Sequence, residues 1–359
     1  MPRRLLSLLL PAAAICAAAA PAHAAPVSSH AMVYTCCTPP ALKERIFAEA
    51  AASGAEFIRV DVELAGIFDS AGSRERPDWR ALDQVLELAE RYDLRVLGLI
   101  LGMPAWLSTC PERGADAALC PARDAEEFGR LAAEVAVHAQ GSIDHWEIWN
   151  EPDADWAFKG TAGDYARMLS AAHDAIHARV PGARVVLGGV ERPREREWIE
   201  RMLATPGAGA ARKFDIAALH LRLRLRNELR DLPAYLRAWR DLLAGHGFSG
   251  PVWVTEHGYP ADPQFQWDPA YRGGETAQAA FLRDSIPALT RAGADQVFVT
   301  LRDNLWGEYL SEGIVGIDAA DPYHPVVRRP AFDTVRDLSG KRPEWDLAPI
   351  VRLLQSWGL

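Results

Sequence analysis

From about residue 30 onward, short apolar runs alternate with longer stretches whose apolar residues recur every three or four positions. "EFIRVDV" (56–62) reads as a strand. "DWRALDQVLELAERY" (78–92) follows it with Trp79, Leu82, Val85, Leu86 and Ala89 at helical spacing. "RVLGLIL" (95–101) is the next strand. The helix after it starts at Asp124, with Glu127 placed for a capping box and Phe128, Leu131, Ala132 and Val135 forming its inner stripe. "HWEIWNE" (145–151) is a further strand, followed by a helix capped at Thr161 with Tyr165, Met168, Leu169 and Ala172 on one side. "ARVVLGG" (183–189), "FDIAALHL" (214–221), "VWVTEH" (252–257) and "QVFVTLR" (296–302) complete the strands. A strand at 30–34 with a helix at 41–52 opens the series, and the helical "RPAFDTVRDL" (329–338) closes it.

Strands that are apolar along their whole length, with a helix between each pair, imply a parallel sheet covered on its outside. Eight such units predict an α/β fold of one closed (β/α)8 barrel, a TIM barrel, in preference to an open doubly wound sheet. No G-x-G-x-x-G follows the first strand, which counts against dinucleotide binding. The pattern contains no linker and no low-complexity tract. The final "KRPEWDLAPIVRLLQSWGL" is expected to pack as a short C-terminal extension with a terminal helix.

The N-terminus departs from this alternation. Arg3 and Arg4 precede an apolar run from Leu5, and Ala22-His23-Ala24 supplies an A-x-A cleavage site. Residues 1–24 therefore read as a secretory signal peptide, leaving 25–359 as the barrel domain of a secreted or periplasmic protein. The run is short and broken by Pro11, which disfavours a membrane anchor, and no later run is long enough to span a bilayer. The formal net charge of −9 argues against a nucleic-acid partner. Oligomeric state is not encoded in any of these patterns. In an exported chain, Cys36, Cys37, Cys110 and Cys120 are expected to pair. Cys110 and Cys120 share one Pro/Gly-bearing loop and form the expected bond. For the adjacent Cys36 and Cys37, a vicinal bond and two buried thiols are both open. The cysteines lack Cys-x-x-Cys spacing, no His/Asp/Glu spacing resembles a metal cage, and no G-x-S-x-G elbow is present, so neither metal nor cofactor is expected.

In a barrel of this kind, reactive residues lie at the C-terminal ends of the strands. Reading those ends in order gives Arg59 and Asp61, then Asn150 and Glu151, then His220, then Glu256 and His257. The fourth and seventh strands face each other across the mouth, so Glu151 and Glu256 are expected to converge over one cleft. Glycoside hydrolysis needs two such carboxyls, one protonated to serve the leaving oxygen and one ionised to attack or to activate water. Asn150 is placed to bond a sugar hydroxyl, and Arg59 to keep one carboxyl ionised. Trp106, Trp156, Trp267, Tyr271 and Trp306 fall in predicted βα loops, where aromatic faces stack on sugar rings.

"WEIWNEP" and "VWVTEHG" resemble the acid/base and nucleophile signatures of clan A retaining glycosidases. The resemblance extends from about residue 40 to 340 through "IRVDVEL", "LGLILGMPAWL", "WNEPDADWAF" and "LRDN…EGIVGID…RRPAF". It is nearest to glycoside hydrolase family 39 and related bacterial polysaccharide hydrolases. It implies Glu151 as general acid/base, Glu256 as nucleophile, and Asn150, Arg59 and His220 in support. The implied substrate is a β-linked oligo- or polysaccharide. Two positions depart from the pattern. The tyrosine usual two residues after the strand-six histidine is Arg222 here, and strand eight has no tryptophan, leaving Phe298 or Trp306 as stand-ins. "RLRLR" (222–226) fits both an acidic-sugar subsite and a solvated strand face. The departures also keep open a non-catalytic carbohydrate-binding protein on a degenerate glycosidase barrel, and a metal-dependent barrel hydrolase is a third class.

Overall fold

The computed structural model describes residues 25–68, 76–191, 196–304, 307–317 and 327–341. The signal peptide, Trp306 and the expected terminal helix lie outside them. The barrel follows the predicted alternation: β1 (Val27–Tyr34), α1 (Pro40–Ala52), β2 (Phe57–Glu63), a one-turn α2 (Leu64–Phe68), α3 (Arg80–Arg91) and β3 (Arg95–Leu101). It continues through α4 (Ala125–His138), β4 (His145–Ile148), α5 (Ala162–Arg179), β5 (Arg184–Leu187), α6 (Arg196–Leu203) and β6 (Ala217–His220). It ends with α7 (Arg226–Gly245), β7 (Val252–His257), α8 (Glu275–Ala292), β8 (Gln296–Thr300), a small antiparallel ribbon of β9 (Val315–Gly316) and β10 (Val327–Arg328), and α9 (Pro330–Ser339).

All eight barrel strands are parallel, and β1 pairs with both β2 and β8. Single bridges, Val186 with Ile216 and Val190 with Leu219, join β5 to β6 and complete the (β/α)8 barrel. Asp124 and Thr161 cap α4 and α5 as expected, and the reciprocal capping box is seen at α5. The Asp124 side chain accepts from the Glu126 and Glu127 amides, while Glu127 directs its carboxylate to Arg130. Thr161 and Asp164 form a reciprocal capping box at α5. The inner stripes of α4 and α5 are buried throughout, against the outer surface of the strands.

A second, smaller core fills the barrel interior: Phe57, Leu97, Val186, Ile216, Ala218, Trp253 and Phe298. The rings of Phe57, Trp253 and Phe298 meet at 5.3–6.2 Å, and His145 stacks on Trp253 at 5.1 Å. Fully burying each large apolar side chain contributes roughly 1.5–3 kcal/mol. Phe298 belongs to this floor. Its position in the second residue layer of β8 keeps it below the cleft, so it does not replace a strand-eight tryptophan under a sugar. Gly98 has a local reason as well: a Cβ there would lie 2.5 Å from the Trp146 ring on the neighbouring strand.

Candidate active site

The strand predicted for 145–151 stops at Ile148, because Trp149 and Glu151 take left-handed backbone angles, φ 69° and 44°. Such angles cost side-chain-bearing residues on the order of 1–3 kcal/mol each and persist only where the surroundings enforce them. Here the Trp149 amide donates to the Ile100 carbonyl at 2.8 Å, and its indole N–H to that of Ala157 at 3.1 Å. The Glu151 amide donates to the Gly189 carbonyl at 3.0 Å. Apolar β4 thus ends in an enforced kink that turns the Glu151 side chain over the barrel mouth.

The Glu151 and Glu256 carboxylates and the His220 imidazole each offer an atom within 4.8 Å of the others, and all three residues are buried. Glu151 Oε1 shares a hydrogen bond with His220 Nδ1 at 2.7 Å, and His220 Nε2 lies 3.5 Å from Glu256 Oε1. A register shift between Leu219 and His220 sets the histidine beside Glu256 on β7. The two acids differ sharply. Burial, reinforced by the charges of Glu256 and Glu191, pushes the Glu151 carboxyl up to about 9 against the pull of Arg222 and Arg59. Burial alone would also push Glu256 up, but His220, His30, Arg222 and Arg59 outweigh it and hold that carboxyl well below the usual range. Burial depresses His30 to about 3 and His220 to about 4, so both rings are neutral at pH 7. The lasting positive charge on Glu256 is therefore that of the two guanidiniums.

Arg59 reaches across the barrel. Its Nη1 donates to Glu256 Oε1 at 2.8 Å and its Nη2 to Asn150 Oδ1 at 2.9 Å. Its Nε and Nη2 also grip both oxygens of Glu147, at 2.6 and 3.1 Å. Sequence reading missed Glu147, a fully buried acid inside an apolar strand. Its one signal is that it precedes Glu151 by four positions on an inward-facing row. Asp61, two residues beyond Arg59, also faces the cleft, and burial raises its carboxyl to about 8.

Arg222 proves to be part of the site. Its Nη2 donates to Glu256 Oε2, its Nε to Glu312 Oε2 at 3.2 Å, and its guanidinium lies 4.7 Å above the Tyr309 ring. Glu312 is buried and is also bonded by Thr300 and, at 3.0 Å, by Arg224. "RLRLR" is thus no solvated face over its first three residues: Arg222 and Arg224 turn inward onto Glu312.

Of these groups Arg59, Asp61, Glu151, Arg222 and Glu256 line a cleft of about 510 Å³, together with Tyr34, Asn150, Trp156 and Tyr309. Trp156 is 58% exposed beside it. Three of the other expected aromatics fall elsewhere. Trp106 is not among the lining residues, its indole N–H donating to the Phe68 carbonyl at 2.8 Å. Tyr271 is buried against Tyr259 and Phe281, and exposed Trp267 stands outside the cleft. Cys110 is bonded to Cys120 with Cα atoms 6.2 Å apart, and Cys36 is bonded to Cys37. The Glu151–His220–Glu256 cluster has the ligand types for a metal. With Glu151 protonated and two guanidiniums on Glu256, however, the local charge opposes a divalent cation.

No protein-family model and no curated protein matches the chain. Many solved structures share its fold. A family 39 glycoside hydrolase from the gut symbiont Bacteroides cellulosilyticus superposes over 87% of this chain and 63% of its own, with a TM-score of 0.60 and 14% identity. A monomeric β-xylosidase from Caulobacter crescentus does so over 89% and 70%, with a TM-score of 0.62 and 16% identity. An exo-β-1,4-mannosidase from an Opitutaceae bacterium covers 88% and 59%, at 0.61 and 16%. The chain thus spans less than two thirds of the family 39 enzyme and of the mannosidase. The fold is that of family 39 and other clan A glycoside hydrolases, and at this identity the likeness extends to the fold alone.

Proposed function

We propose that the protein is a retaining glycoside hydrolase acting on a β-linked oligo- or polysaccharide outside the cytoplasm. The observation that carries this reading is the pairing of one protonated and one ionised carboxyl with oxygens within 4.8 Å of each other. Retaining enzymes hold their carboxyls about 5–5.5 Å apart, whereas an inverting pair stands roughly 6.5–9.5 Å apart to admit a water. Glu256 attacks the anomeric carbon while Glu151 passes its proton to the glycosidic oxygen, and the aglycone leaves. Esterification neutralises Glu256, which weakens Glu151's hold on a proton. Glu151 then takes one from the incoming water, whose oxygen displaces Glu256. Two inversions give net retention. Asn150, its carbonyl fixed by Arg59, keeps its amide donors for a sugar hydroxyl, and Trp156 offers a stacking face. The extracytoplasmic location rests on residues 1–24. Among the described residues no helix is long and apolar enough to cross a membrane.

One observation favours a second reading, a non-catalytic carbohydrate-binding protein. Both oxygens of Glu256 are engaged by guanidiniums, Arg59 on one and Arg222 on the other. A panel of chromogenic β-glycosides and polysaccharides, with product sizing and NMR of the first-formed anomer, separates the two. Turnover with the substrate's own anomer is the expected result. Binding without turnover on every substrate would establish the second reading, and inverted product would overturn the mechanism.

A further inference from the structure

Away from the cleft, the C-terminal part of α5 carries His173 and His177 four residues apart, on one face of the helix. Their rings meet edge to face, with centroids 4.2 Å apart. Asp215, from the segment leading into β6, completes the group, and one ligand atom from each of the three lies within 4.8 Å of the others. His177 Nε2 is 3.1 Å from Asp215 Oδ2. Two ligands of a tetrahedral ion with bonds of about 2.0–2.1 Å stand about 3.3 Å apart, so this pair is already spaced for one.

We propose that His173, His177 and Asp215 form a site for one divalent transition metal of the zinc or nickel type, with solvent completing its shell. Ligand chemistry favours this class, since imidazole nitrogen selects borderline metals over magnesium or calcium. The next layer is built as well. His173 Nδ1 pairs with Asp174 Oδ1 at 2.9 Å, which orients the ring and leaves Nε2 as the coordinating nitrogen. Asp174 is fixed in turn by Lys213, whose ammonium sits 2.6 Å from both its oxygens, so that cation is already neutralised. Arg184 approaches the other oxygen of Asp215, at 3.7 Å, away from the side that meets His177. All three side chains are 19–25% exposed, so an ion reaches them from solvent.

The location indicates the role. Asp215 lies before β6, at the barrel end opposite the cleft, where side chains serve stability rather than chemistry. Its carboxylate accepts the Val185 amide at 2.7 Å, and its own amide donates to the Val185 carbonyl. An ion bound there ties α5 to the β5–β6 seam, which is closed by single bridges. No metal cage is readable in the sequence, because "HDAIH" supplies only two ligands and Asp215 is 38 residues beyond His177, where only the fold brings it alongside.

The test uses the untagged mature chain after treatment with chelator. Isothermal titration with ZnCl2 or NiCl2 should give one saturable equivalent per chain. The melting temperature should rise with metal, and MgCl2 should leave it unchanged. Cobalt(II) should develop the visible absorption of a nitrogen-ligated ion. The His173→Asn/His177→Asn double variant, its metal-free melting temperature confirming that it folds, should lose the equivalent and the shift. Glu151→Gln should retain both. Absence of a saturable equivalent in the unaltered chain, or its survival in the double variant, would overturn the proposal.

Discussion

Arg59 and Glu256 meet at 2.8 Å over the barrel mouth, although 197 positions separate them in the chain. The same guanidinium holds Glu147 from β4 and Asn150 from the turn after it, and lies 3.3 Å from His30 Nδ1 on β1. One buried cation therefore sets the relative positions of the ends of four strands. Glu147 balances a second share of its charge, so Glu256 need not neutralise the arginine alone.

Removing that counter-charge should be costly. Replacing one partner of a buried pair leaves the other uncompensated, typically at a cost of about 3–5 kcal/mol. Because Arg59 keeps Glu256, Glu147→Gln is expected near the lower end, about 3 kcal/mol, as measured by urea unfolding. A loss below about 1 kcal/mol would show that Glu147 is not the principal counter-ion.

The two candidate catalytic acids should fail differently. Glu256→Ala is expected to abolish turnover on every substrate, since no glycosyl ester can form. Glu151→Ala should spare the first step for substrates with very good leaving groups, which need little protonation. Azide should then accelerate turnover and yield a glycosyl azide. Equal loss in both variants, with rescue of neither, would contradict the roles.

The pH profile should be broad and displaced toward acid. Activity requires Glu151 protonated, so it is lost as pH rises through about 9. It also requires Glu256 ionised, so it is lost only as pH falls through a value well below the ordinary 4.5. Arg222→Gln removes one of the two cations on Glu256 and should move the acid limb upward while leaving the basic limb less affected. A profile whose acid limb stays fixed in that variant would assign Arg222 a different task.

Gly189 should tolerate no side chain. A Cβ there would fall 2.1 Å from His220 Nε2 and 2.7 Å from Thr255 Oγ1, and the Gly189 amide donates to Glu147 at 2.8 Å. Gly189→Ala is expected to displace the imidazole between the two acids. A misplacement of about 1 Å can cost on the order of 100-fold in rate. Steady-state kinetics on the best chromogenic substrate would measure this, and an unchanged kcat would mean that His220 does not position the acids.

The barrel was legible because its cause is local. Continuous apolar strands and three-to-four-residue helical stripes depend on nearest neighbours, and α3, β3, α5 and β7 begin or end within two residues of their predicted bounds. Glu151 and Glu256 were legible for a related reason: they are charged residues at the ends of apolar runs, which the barrel gathers at one rim, and Arg59 stands out as a cation inside such a run. Glu147 was hidden because a single buried acid leaves the apolar pattern of "HWEIW" intact. Arg222 and Glu312 were hidden for a geometric reason. Their pairing joins the loop after β6 to the loop after β8, and it depends on the register shift at His220. Loop aromatics were the least readable, since nothing local distinguishes Trp156, which lines the cleft, from Tyr271, which packs inside.

The left-handed turn at the end of β4 bears on how this sequence could change over time. Among the described residues, Met32, Asp93, Trp149 and Glu151 are the non-glycine positions with positive φ, and three of these four line the cleft. Glycine would adopt the same angles without strain. Drift under selection for folding alone would relieve backbone strain on the order of 1–3 kcal/mol at each such site, but at buried Trp149 the packing lost with the indole, about 3–5 kcal/mol, outweighs that relief. A barrel freed from chemical duty would be expected to lose Met32 and Glu151 from this rim before Trp149, which belongs to the core. Here the rim still carries methionine, tryptophan and glutamate, each held in left-handed backbone at the mouth of the cleft.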